Sequence, residues 1–209
     1  LRMIRAFSGI GYCRASSTAL TDVIACDDVQ TPQMRWVKAQ ASRGSRPCMM
    51  TSMPRSMVPA LEAMDIRMLL NEQAVITRGS NSIYLAGIDD PHYYRADNLE
   101  KATEQLPVDG VSILLAHSPE IYRHAAHADF DLMLCGHTHG GQICLPGEVP
   151  VMCNASCPRD LCRGAWEYGG MQGYTSTGSG ACIVDVRLNC PPEITLHHLY
   201  PAATNTASQ

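Results

Sequence analysis

Three histidines carry the chemistry this chain is built for. His117 stands in LLAHSPE, and His137 and His139 stand in LCGHTHGGQ. Imidazole is the commonest side-chain ligand for borderline divalent ions. In extended backbone alternate side chains point to one side, so His137 and His139 address one site or two adjacent ones. Gly136 before them and Gly140-Gly141 after them permit the tight turns that bring rings up to a ligand. A lone His-x-His is as readily a pair of solvated loop residues. The third histidine and the flanking glycines are what favour a metal site.

Each motif follows an apolar run. VSILLA (111–116) reads as a strand buried on both faces, and DLMLC (131–135) as a second. Ligands in open α/β sheets sit outside the carboxyl ends of the strands, where both histidine motifs fall. Around them, VPALEAMDIRMLL (58–70) has Pro59 suited to a first helical turn and Leu61, Met64 and Met68 on one face. QAVITR (73–78) and SIYLAGI (82–88) form a hairpin about Gly79-Ser80-Asn81. Residues 96–106 are expected to be helical, a short helix begins near Pro119, and 172–176, 181–187 and 193–199 complete a β-rich end. Strands alternating with helices, followed by consecutive strands, indicate an α/β sandwich.

The segment HSPEIYRHAAHADFDLMLCGHTHGGQ (117–142) resembles the calcineurin-like metallophosphoesterase superfamily. LAGIDD (85–90), TGSG (177–180) and VDVRLNCPPEITLHHL (184–199) are similar to one bacterial branch of it, and the likeness covers residues 57–199. The resemblance implies two facing mixed β-sheets flanked by helices, holding two divalent metal ions (Mn²⁺, Fe or Zn²⁺). It implies that His117 and His137 share one ion and that His139 holds its neighbour. Ions about 4 Å apart would activate a water for in-line attack on phosphorus and neutralise charge on the phosphoryl oxygens, with no covalent enzyme intermediate.

The front of the chain departs from that pattern. It has no Asp-x-His, and none of its eight histidines precedes His92. Asp28, in DVIACDDV, is the best candidate for the bridging carboxylate, although Asp27 stands where a glycine belongs. CMMTSMPRS (48–56) occupies the place of a Gly-Asn-His segment. The expectation is an incomplete or frame-shifted N-terminal part over 1–56, a metallophosphoesterase-like domain over 57–199 and a flexible tail over 200–209. A shifted frame through Cys48-Met49-Met50 reads His-Asp if Cys48 is encoded TGC. The alternative reading is an impaired domain that binds metal or a partner without turnover.

Among the remaining candidates, Asp90 and His92 are expected to reach substrate or to orient an imidazole, with Asp89 beside them. His124 and His127 read as solvated helix residues, Glu120 as an acid favouring a helix N-terminus. His197 and His198 carry no assigned role. Cys26, Cys135 and Cys182 lie in apolar runs as small hydrophobes. Cys144, Cys153, Cys157 and Cys162 lack a C-x2-C knuckle, which argues against structural zinc and leaves reduced thiols as the expectation.

Composition narrows the classes. With 209 residues, 45% hydrophobic and 17% charged, the chain is long enough for a core of its own. Its net charge of -4 disfavours nucleic acid as a structural partner. The balance is uneven, with eight Lys/Arg against three Asp/Glu in 1–56 and eight against seventeen beyond. No convincing secretory signal or membrane-length apolar run is present. The expected partner is a small phosphoester and the expected location the cytoplasm. A missing front segment leaves peripheral membrane association open, and the oligomeric state is not legible.

Overall fold

The structure, a computed structural model, describes residues 67–107 and 109–199, together with the backbone of Phe7–Ser8 and Pro59. Strand β1 is Phe7–Ser8. The main sheet takes β2 (Glu72–Arg78), β3 (Asn81–Gly87), β4 (Val111–Leu115), β5 (Leu132–Cys135), β8 (Gly164–Tyr168) and β9 (Met171–Thr175). Their order across the sheet is β2-β3-β4-β5-β9-β8. The inner strands β3, β4, β5 and β9 run parallel, and β2 and β8 pair antiparallel at the two edges. The sheet is therefore mixed, as expected. Two short ladders accompany it: β6 (Cys144–Leu145) with β7 (Val149–Pro150), and β1 with β10 (His197–His198).

The inner strands are apolar on both faces because both faces are covered. Leu114 and Met133 turn to the face where α1 (Leu99–Thr103) and α2 (Tyr122–His127) pack with Ala102, Tyr122, Ala125, Phe130 and Trp166. Ile113, Leu132, Leu134 and Tyr174 turn to the other face, against Ile83, Leu85, Leu115 and Leu199. Alternation along each strand divides one continuous apolar run between two cores.

Close approach is needed at Gly173 on β9. A Cβ built there would lie 2.2 Å from the indole of Trp166, whose Nε1 is fixed by a 2.9 Å bond to Thr175 Oγ1. Thr175 Oγ1 in turn donates to the Leu161 carbonyl at 2.6 Å. Gly173→Ala is expected to cost about 1–3 kcal/mol by overpacking, read as a lower urea midpoint with an unchanged slope.

Several sequence expectations shift. The 96–106 helix contracts to α1, whose start is fixed by the Asn98 side chain accepting from Lys101 N at 2.9 Å. Residues 67–69 are not helical, so the 58–70 helix does not reach its expected end; Pro59 is helical, and 60–66 lie outside the described residues. β8 was not foreseen. Residues 181–187 form no strand, because Gln142 occupies their backbone: its Nε2 donates to the carbonyls of Cys182 and Val184, and its Oε1 accepts from Cys182 N. Ile183 is consequently 82% exposed. The strand over 193–199 contracts to β10. Cys182 is half-buried rather than core, whereas Cys135 is buried; Cys26 lies outside the described residues. Reduced thiols do not hold throughout: Cys153 and Cys162 form a disulfide, brought to a Cα separation of 6.3 Å by the turn through Pro158 and the 3₁₀ segment Arg159–Cys162.

Candidate metal centre

Strand register assembles the site. β4 and β5 pair as Leu115↔Leu134, and the ladder continues with Ala116 N to Leu134 O at 3.0 Å and Gly136 N to His117 O at 3.1 Å. The residues that follow the two strands are thus side by side. His117 Nε2 lies 3.0 Å from His137 Nδ1, with ring centroids 4.8 Å apart. β3 delivers a third chain end to the same edge: Ile88 N bonds to Leu115 O at 3.2 Å, and the turn beyond it sets the His92 ring 4.2 Å from His137.

The backbone around the pair is unusual for its residue types. His137 (φ 66°), His139 (φ 51°) and Gln142 (φ 55°) adopt left-handed conformations, alongside Gly140 at φ 61° and Gly141 at φ 84°. Such conformations cost non-glycine residues about 1–3 kcal/mol each and persist where surrounding structure imposes them. Thr138, between the histidines, supplies part of that constraint. Its Oγ1 donates to Cys162 O at 2.6 Å and accepts from Gly140 N at 3.2 Å.

His137 Nε2 and His139 Nδ1 are buried without a hydrogen-bond partner. A buried ring nitrogen left unpaired is costly, and a metal ion is one group that satisfies it. Burial pushes the His137 pKa down to about 4, and neighbouring His117 and His92 add to the effect. Burial likewise lowers His117, with Asp90 opposing, and lowers His139, with the Arg187 guanidinium adding. All three rings are therefore neutral near pH 7, the form that ligates. His139 is felt electrostatically by His117 but does not join a tight cluster with the pair.

The other candidates separate. Asp90 accepts from the backbone N–H groups of His92, Tyr93 and Tyr94 at 3.2, 2.7 and 2.7 Å. Burial alone would raise its pKa, and those three bonds outweigh it and lower it. Its carboxylate shapes the turn that carries His92. Asp89 accepts from Asp90 N at 2.8 Å. Asp28 lies outside the described residues. Sequence reasoning missed Glu120, whose Oε1 lies 2.8 Å from His92 Nδ1 and accepts from Ser156 N at 2.7 Å. Its position three residues after His117 was the only signal.

The stretches that carried the resemblance are bonded to one another. Arg187 donates to the carbonyls of Thr177, Gly178, Gly180 and Cys190, and Glu193 Oε1 accepts from Thr177 N at 3.0 Å and from the Tyr174 hydroxyl at 3.0 Å. TGSG and the RLNCPPE stretch thus form one scaffold behind His139.

Comparison with known proteins finds several relatives. The phosphodiesterase YaeI of Escherichia coli K12 is 32% identical over 142 residues, covering 66% of this chain and 49% of YaeI. The uncharacterized metallophosphoesterase YkoQ of Bacillus subtilis is 29% identical over 63% of this chain and 48% of its own length. The uncharacterized metallophosphoesterase Cj0846 of Campylobacter jejuni is 34% identical over 55% of this chain and 29% of its own. The chain is similar to proteins named metallophosphoesterases. The chain spans about half the length of YaeI and YkoQ. No protein-family model matches it. Among solved structures, the Thermus thermophilus sulfate thiohydrolase SoxB overlays on 70% of the chain and 30% of its own at 15% identity, with a TM-score of 0.37. Among the described residues, no helix is long and apolar enough to cross a membrane.

Proposed function

We propose that this chain is a metal-dependent phosphohydrolase that cleaves small phosphoesters with two divalent ions. The observation that carries the reading is the contact of His117 with His137, next to the unpaired buried nitrogens of His137 and His139. His117 and His137 would hold one ion, His139 its neighbour and Asp28 the bridging position. Imidazole with carboxylate suits Mn²⁺, Fe or Zn²⁺. Bound there, such ions supply a water of lowered pKa and neutralise charge on phosphoryl oxygens.

The protein groups around them position and protonate. His92 stands against His137, and Glu120 accepts from its Nδ1, which fixes the tautomer and leaves Nε2 as the atom that exchanges a proton with the phosphoester. Glu120→Gln weakens that hold while keeping the shape. It is expected to lower kcat/KM for bis-p-nitrophenyl phosphate by about tenfold to a hundredfold, with an unchanged thermal midpoint.

The reading is tested by hydrolysis of bis-p-nitrophenyl phosphate with and without Mn²⁺. Hydrolysis that depends on Mn²⁺ and stops on chelation supports it. The absence of any Asp-x-His favours a second reading, a domain that retains metal without turnover. Bound metal with no hydrolysis would select that one.

A further inference from the structure

The loop beside the histidines carries a sulfur cluster that hydrolysis does not use. The Sγ atoms of Cys153, Cys157 and Cys162 all lie within 4.8 Å of one another. Cys153 and Cys162 are joined as the disulfide, and Cys157 is a free, half-buried thiol. We propose that in the reduced chain these three cysteines form a thiolate site for a soft or borderline divalent cation, zinc above all, with water as the fourth ligand.

Geometry permits the exchange. Zinc holds sulfur at about 2.3 Å in a tetrahedron, which sets sulfurs about 3.8 Å apart. The Cys153 and Cys162 Cα atoms, 6.3 Å apart, are close enough for their reduced side chains to reach that spacing. Cys157 borders an open groove of about 560 Å³, lined also by Glu120, His124 and Pro158, through which an ion and its water can enter. The spacing Cys153-x3-Cys157-x4-Cys162 lacks a zinc knuckle; Pro158 and the 3₁₀ turn after it bring the sulfurs together instead.

Electrostatics favours a cation over thiol exchange. Burial, with Glu120 and Asp160 nearby, pushes the Cys157 thiol up to about 11. A thiol of that kind is a poor nucleophile toward the adjacent disulfide, and its thiolate is stabilised by a bound cation in the same negative field. The chemistry balances in two steps. A small dithiol reductant delivers two electrons and two protons to the Cys153–Cys162 bond and is itself oxidised to a disulfide. Three thiols then bind one divalent ion and release three protons.

The site would also brace the histidines. Cys162 O accepts from Thr138 between His137 and His139, and Ser156 N bonds to Glu120 beside His92.

Cobalt distinguishes this site from the histidine centre, because only thiolate ligation gives strong sulfur-to-cobalt charge-transfer absorption in the near ultraviolet. The whole chain, reduced and titrated anaerobically with Co²⁺, is expected to develop that absorption with about one equivalent, and zinc is expected to bleach it. Cys157→Ser and Cys153→Ser should abolish it. His137→Ala and Cys182→Ser should retain it, which separates this site from the phosphohydrolase reading. A reduced, folded wild-type chain without the absorption overturns the proposal, and so does absorption that survives Cys157→Ser.

Discussion

His137→Ala is expected to remove most bound divalent metal and to lower phosphodiester hydrolysis by at least about a hundredfold. The size follows from where the ring sits. It touches His117 at 3.0 Å and lies tilted against His92 with ring centroids 4.2 Å apart, so one truncation removes a ligand and unseats two neighbours. Fold loss is not the expected cause. The ring is half-buried beyond the end of β5, outside both apolar clusters. His124→Ala, on the solvent-facing side of α2, is the matched control and should leave metal content and rate unchanged. Elemental analysis beside a hydrolysis assay, with circular dichroism to confirm folding, reads both. Unchanged metal content in His137→Ala would remove this histidine from the centre.

Acid is expected to unfold the metal-stripped chain through the same rings. His117, His137, His139 and His197 all have pKa values lowered chiefly by burial, His137 to about 4. In the unfolded chain each takes up a proton near pH 6.5. Between that value and the lower folded one, the unfolded state binds more protons, so stability falls as pH falls through the window from about 6.5 to about 4. Above the window the rings are neutral in both states and contribute no pH dependence. His137, partly exposed, accounts for up to about 2 kcal/mol once solvent screening is allowed for, and the other three add in the same direction. Chemical denaturation at pH 7 and pH 5 measures the difference. A metal-stripped chain equally stable at both would contradict the burial of these rings. Added metal should steepen the loss, because protons and cations compete for the same nitrogens.

The inner sheet was legible because its strands are uninterrupted apolar runs. VSILLA and DLMLC became β4 and β5 within a residue, and the Gly79-Ser80 turn joined β2 to β3. The placement of His117 and His137 at neighbouring strand ends followed from those runs alone. Long-range side-chain bonds were not legible. The apolar pattern of 181–187 suggested a strand, but Gln142, some forty residues earlier, occupies its backbone. Glu120 looked like a helix-start acid, and its partner His92 lies 28 residues away. The cysteines were misjudged for a related reason, since their convergence depends on how the 153–162 loop folds rather than on spacing. Asp28 and the proposed division at residue 57 lie outside the described residues, and the sequence reading of them stands as an expectation.

Imidazole nitrogen coupled to a bound ion is the most direct test of the centre. Pulsed electron paramagnetic resonance of the chain loaded with Mn²⁺ should show ¹⁴N couplings from directly ligated histidine, weakened in His139→Ala and in the His117→Ala, His137→Ala double variant, and lost when all three are replaced. A manganese spectrum showing only water and carboxylate oxygen would contradict the assignment of these three histidines as ligands.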